Sequence, residues 1–177
     1  MYIGANKVAD RKARRLLEHV IVIMNTVAVP CHTTCLTDII FVMDESGSIS
    51  SSEFTLMKSF LSRLVGRLDI DCGGTRVGLV TFGSTVGTVF NFADYTSVAS
   101  LQTAISSLSK AGGGTRTHSA LQYVRMTLLT PEAGDRADVC NIVVVLTDGK
   151  SYDDAATQVS VSLYYTVFFQ FYVDIFI

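Results

Sequence analysis

Tryptophan does not occur in this chain, and proline occurs only twice in 177 residues. So little proline leaves nothing from which to build a proline-rich linker or a proline-based low-complexity tail. A basic excess is missing as well. Fourteen Lys and Arg stand against 16 Asp and Glu, for a formal net charge of −2, so nucleic acid is not the default partner. There is no internal repeat. What the chain has in quantity is apolar side chain, 49% of residues, which is high for a soluble protein and marks some segment as other than ordinary globular surface. The length fits one domain with a sizeable core.

Residues 1–35 read as a leader. Lys7, Arg11, Lys12, Arg14 and Arg15 make a basic start, Leu16 to Val29 is mostly apolar, and Thr26 and Ala28 supply small residues at signal-peptidase spacing. This resembles a secretory signal, although Glu18, His19 and Asn25 interrupt the apolar region. Cys31 and Cys35 enclose His32 in a CxxxC, but no second ligand pair follows, which argues against zinc. Cys72 and Cys140 each precede an apolar strand. They could face each other at one end of a sheet as a disulfide, or remain buried thiols. At the far end, residues 161–177 form an aromatic, apolar tail with no turn or glycine. It is too short, and too interrupted by Gln170 and Asp174, to serve as a membrane span. It could take the place of a final strand.

From residue 36 onward the pattern alternates in the α/β manner. "DIIFVMD" (38–44) reads as a buried parallel strand and "SSEFTLMKSFLSRLVGRL" (51–68) as a helix, with Ser50 and Glu53 forming a capping box. "RVGLVTF" (76–82) is a second strand. "TVFNF" (88–92) is a third, joined so tightly to the second that it must run antiparallel at the sheet's edge. Helices follow over 97–108 and 117–129, the second stopping before Pro131. "NIVVVLTD" is the clearest strand, and residues 153–160 read as one more helix. The expected architecture is a three-layer α/β sandwich, with a doubly wound, mostly parallel sheet and one antiparallel edge strand.

Two of these strands end in a carboxylate, Asp44 and Asp148. Asp44 opens "DESGS", which places hydroxyls at Ser46 and Ser48, and "GGGTRTH" brings Thr115 to the start of a helix. In a doubly wound sheet, ligands bind beyond the carboxyl ends of the strands. Loops there would collect two carboxylates and three hydroxyls. An all-oxygen set suits Mg²⁺, or Mn²⁺ and Ca²⁺ less selectively, and suits zinc poorly. Mg²⁺ keeps open positions for water, and an Asp or Glu from a partner protein could replace one of those waters. Taken alone, Asp44, Ser46 and Ser48 could merely cap a strand-to-helix turn; their combination with Thr115 and Asp148 favours the metal. Glu45 and Arg116 read as a solvated side chain and a loop charge that could tune the partner's approach.

"DIIFVMDESGSIS", "RVGLVTF", "GGTRTHSAL" and "IVVVLTDGKS", in this order, resemble the von Willebrand factor type A domain, in the extracellular form found in matrilins, non-fibrillar collagens and integrin inserted domains. The resemblance covers about residues 36–160. It implies that Asp44, Ser46, Ser48, Thr115 and Asp148 form a metal-ion-dependent adhesion site. It implies too that the chain is secreted or at the cell surface, binding an acidic residue of a collagen or other matrix protein. Residues 161–177 depart from the family's pattern, so the domain reads as incomplete at its C-terminal end.

Enzymatic readings fare worse. Aspartyl-phosphate hydrolases keep a second Asp two residues after the first, where this chain has Ser46. "DGKS" at 148–151 lacks the P-loop's leading glycine, which is replaced by Val144. No GxSxG elbow is present. The sequence therefore points to a binding module rather than an enzyme, with a structural or scaffolding role of the same domain as the alternative.

Overall fold

The structure, a computed structural model, describes residues 36–148 and the backbone of strand 165–170. Its sheet has five strands: β1 Thr37–Asp44, β2 Thr75–Phe82, β3 Val86–Phe90, β4 Cys140–Thr147 and β5 Tyr165–Gln170, in spatial order β3-β2-β1-β4-β5. β1 is central, paired in parallel with both β2 and β4. That placement explains why residues 38–44 are continuously buried, since a strand with neighbours at both edges and helices on both faces has no solvent side. β3 is antiparallel to β2 and forms one edge; β5 runs parallel to β4 and forms the other.

Alternate residues of β1 serve two cores. Ile39, Phe41 and Met43 pack with helices α1 (Ser51–Val65) and α2 (Val98–Ser107), through Phe54, Met57, Leu61, Leu101 and Ile105. Ile40 and Val42 pack on the other face with α3 (Thr117–Tyr123) and the π-helical turn that continues it, Val124–Leu128, through Ala120, Leu121 and Leu128. These are the three layers the sequence called for.

Local chemistry sets the boundaries. The capping box at α1 is present: Ser50 Oγ accepts from the Glu53 amide at 3.2 Å, and the Ser50 amide donates to Glu53 Oε2 at 2.7 Å. The helix stops at Val65 rather than 68, because after Gly66, a weak helix former, the Arg67 and Leu68 amides bond to the Leu64 and Val65 carbonyls three residues back instead of four. β3 begins two residues earlier than the sequence suggested. It ends at Phe90, since the Asn91 amide is taken by the Asp94 carboxylate at 2.7 Å and the Phe92 amide by the Ala133 carbonyl. The helix expected at 153–160 lies outside the described residues, as does the leader.

Both cysteine expectations are corrected. Cys140 is a free, exposed thiol, whereas Cys72 is disulfide-bonded to a partner outside the described residues. β2 and β4 flank β1 on opposite sides, so the segments leading into them are separated by two strand spacings, roughly 10 Å. A disulfide needs its Cα atoms within about 7 Å.

At the amino end of the sheet a fully buried carboxylate, Asp38, meets Arg136. Arg136 donates to Asp38 Oδ1 through Nε (2.9 Å) and Nη2, and its backbone amide reaches Oδ2 at 3.1 Å. The same guanidinium caps the carbonyls of Thr37, Gly73 and Gly74.

Candidate metal centre

The carboxyl end of the sheet has a different chemistry. Asp44, the last residue of β1, is 0% exposed. Its Oδ1 accepts from the Ser46 amide at 2.8 Å and its Oδ2 from the Thr147 hydroxyl at 2.7 Å. No cation pairs with it among the described residues. Burial pushes the Asp44 carboxyl above its ordinary range. Hydrogen bonds from Ser46 and Thr147 offset this in part, and the nearby Asp148 charge adds to the rise. Glu53 moves the other way: its bonds with Ser50 hold its carboxyl below the ordinary value, and Asp148 opposes them. Asp148 thus acts electrostatically on both carboxylates, and the three make this end of the sheet negative.

Hydroxyls surround that charge. Ser46 is fully buried, and its Oγ lies 2.9 Å from Oγ of the exposed Ser48. Thr115 is 5% exposed. Among the described residues no group of three or more His, Cys, Asp or Glu gathers in one place, so a cation held here would rest on hydroxyls as much as on carboxylates.

Three loops build the site, and their backbones are laced together. The loop after β1 accepts the Gly112 amide on the Glu45 carbonyl (3.0 Å) and donates from the Gly47 amide to the Gly113 carbonyl (2.8 Å). The β2–β3 turn accepts the Arg116 amide on the Gly83 carbonyl (3.0 Å) and the Gly114 amide on Ser84 Oγ (2.7 Å). Gly83 must be glycine, because a Cβ there would collide with the Gly112 carbonyl oxygen.

Of the residues expected to face a partner, Arg116 is exposed at the start of α3. Glu45 corrects its expected role. It is 3% exposed rather than solvated, with Oε2 accepting weakly from the Ala111 amide at 3.4 Å. Oε1 fills the space beside Gly87, where any Cβ would meet both it and Thr81 Oγ1. Sequence reasoning missed Thr147, which sits beside Asp44 because Met43 pairs with Leu146 one step earlier. Its signal was a hydroxyl immediately before the strand-ending Asp148. Ser84 and Gly87 were also missed, and no sequence pattern marks them.

Residues 38–169 match the von Willebrand factor type A domain family. The chain is 39% identical to mouse (Mus musculus) Matrilin-1 over 120 residues, covering 66% of this chain and 24% of that protein. To human (Homo sapiens) Matrilin-3 it is 36% identical over 119 residues, covering 66% and 24%. It therefore spans about a quarter of the length of these relatives. Among solved structures it is similar to proximal thread matrix protein 1 from the mussel byssus, with a TM-score of 0.68, 28% identity, and coverage of 72% of this chain and 34% of that one. A second structure of the mussel protein, described as having a zinc-occupied MIDAS motif, superposes with a TM-score of 0.65 at 29% identity, covering 73% and 33%.

Proposed function

Because this chain belongs to the von Willebrand factor type A family, we propose that it is an extracellular adhesion or matrix-binding module. In this reading Asp44, Ser46, Ser48, Thr115 and Asp148 hold a divalent cation, Mg²⁺ by preference, against which an Asp or Glu of a matrix or cell-surface protein docks. The observation that carries it is the state of Asp44, a fully buried carboxylate raised in pKa by burial and supported, among the described residues, by neutral donors. When bound, the cation supplies a positive centre with an open position for an outside oxygen.

The chain's own residues do the rest. Ser46 and Ser48 present adjacent hydroxyls, which are neutral ligands and leave the ion most of its charge for an incoming carboxylate. Thr147 and the Ser46 amide occupy one lone pair on each Asp44 oxygen, which orients the carboxylate and favours contact through water. The all-oxygen donor set ranks Mg²⁺ and Mn²⁺ above Zn²⁺; the zinc in the mussel protein's motif makes that ranking worth measuring here. Binding rather than catalysis fits position 46, where a phosphoryl-transfer site of this kind would need a second carboxylate.

The test is calorimetric titration of the full chain with MgCl₂, MnCl₂ and ZnCl₂, followed by binding to collagen and matrix proteins with and without chelator. Millimolar or tighter uptake of Mg²⁺ or Mn²⁺, and matrix binding abolished by EDTA and by Asp44→Ala, are expected. A folded sample that takes up neither ion refutes the proposal.

A further inference from the structure

We propose that Ser84 is a positioning residue for the cation site, holding the Thr115 loop in place by accepting the Gly114 amide. The inference rests on the divalent-cation reading above and adds to it a residue on a loop that contributes no ligand. The problem it solves lies in the chain just before Thr115. Residues 111–114 are Ala-Gly-Gly-Gly, with Gly112 and Gly113 at φ +81° and +100°. Glycines have little conformational preference of their own, and fixing each residue costs about 1–2 kcal/mol of backbone entropy. A ligand at the end of such a segment is placed only as well as its neighbours place it.

Among the described residues, two side chains bond to the amides of 111–114. Glu45 reaches Ala111 at a long 3.4 Å, four residues from the ligand. Ser84 reaches Gly114 at 2.7 Å, in the residue directly before Thr115. The contact is built from both sides: a Cβ on Gly113 would sit 2.6 Å from Ser84 Oγ, so the loop needs glycine there for Ser84 to approach. The Arg116 amide, directly after Thr115, bonds to Gly83. Thr115 is therefore pinned before and after by the same β2–β3 turn. Ser84 is itself exposed and belongs to neither core, so replacing it leaves the packing intact.

The test uses the full chain with Mn²⁺ as probe, comparing wild type, Ser84→Ala, Ser84→Thr and Thr115→Ala. Calorimetry gives affinity, and water-proton relaxation gives the hydration of bound Mn²⁺. Ser84→Ala is expected to melt within about 2 °C of wild type in EDTA and to bind Mn²⁺ roughly five-fold more weakly, the scale of one hydrogen bond. Its bound ion should show the raised relaxation of Thr115→Ala, as water replaces a poorly held hydroxyl. Ser84→Thr, which keeps the acceptor, should restore both. Wild-type affinity and hydration in Ser84→Ala would overturn the proposal and leave the cation reading standing. So would an affinity loss that tracks a lowered metal-free melting temperature and is not rescued by Ser84→Thr, since that is a merely structural role. Wild type that takes up no Mn²⁺ overturns the cation reading and this inference with it.

Discussion

Strand β1 carries a buried aspartate near each end, and the protein provides for the two in opposite ways. Asp38 receives the Arg136 guanidinium, the Arg136 amide and no hydroxyl. Asp44, equally buried, receives the Ser46 amide and the Ser46 and Thr147 hydroxyls, and no cation among the described residues. The first arrangement is complete in itself, a paired charge whose desolvation is offset within the fold. The second has no positive charge beside it among the described residues, and on the reading proposed above an outside cation supplies it. Burial is the same at the two ends, so it does not distinguish structure from function; on that reading the provenance of the counter-charge does.

The comparison breaks most visibly at the amino end. Arg136→Ala leaves Asp38 buried and unpaired, which costs about 3–5 kcal/mol. It also removes a donor from each of the Thr37, Gly73 and Gly74 carbonyls. Chemical denaturation should show this loss equally with and without Mg²⁺, because Asp38 already has its counter-charge in Arg136. A loss reversed by Mg²⁺ would mean that the two ends are not independent.

At the carboxyl end the effect of adding a cation comes next in size. Ion at a hundredfold excess over its dissociation constant stabilises by about 2.7 kcal/mol, read as a rise in melting temperature that EDTA reverses. Asp44→Asn should show no such rise. Thr147→Val then removes the hydroxyl that supports Asp44 Oδ2 at nearly constant volume. It leaves a buried acceptor unsatisfied and should cost about 1–3 kcal/mol without metal. An outside cation supplies part of what Thr147 gave, so saturating Mg²⁺ should narrow the loss. At the Arg136 site it should not.

Much of this contrast was legible in the sequence, though unevenly. Asp44 and Asp148 announced themselves because an apolar strand that ends in a carboxylate is a strong local signal, and the hydroxyls at 46, 48 and 115 followed from spacing and resemblance. The mostly parallel sheet and its antiparallel edge came from apolar runs and a short turn. What stayed hidden depends on register and on contacts between loops. Thr147 matters because β4 pairs with β1 in one particular register. Asp38 and Arg136 meet across 98 residues with no pattern to join them. Glu45 read as solvated because a charged residue in a polar loop usually is; tertiary packing against Gly87 buries it.

The smallest effect expected is the dependence of the carboxyl end on pH, because at Asp44 burial and hydrogen bonding pull in opposite directions. Burial prevails and the folded carboxyl titrates above its ordinary value of 3.8. The folded state therefore holds its proton to higher pH than the unfolded chain does. By linkage, the stability tied to that proton is fully present below the unfolded value and is lost as pH rises through the raised folded one. Asp44→Asn carries no such titration. In chelator, its melting temperature should exceed that of wild type at neutral pH, and the gap should close as pH falls toward 3.8. Carboxylates that do not couple to Asp44, the depressed Glu53 among them, cancel in the difference, whereas the Asp148 charge belongs to the Asp44 effect itself. With Mg²⁺ present the sign reverses, because proton and cation compete for the same oxygens and wild type loses its bound ion as pH falls. A gap that keeps one sign and one slope with and without Mg²⁺ would show that Asp44, like Asp38, already has all the partners it needs.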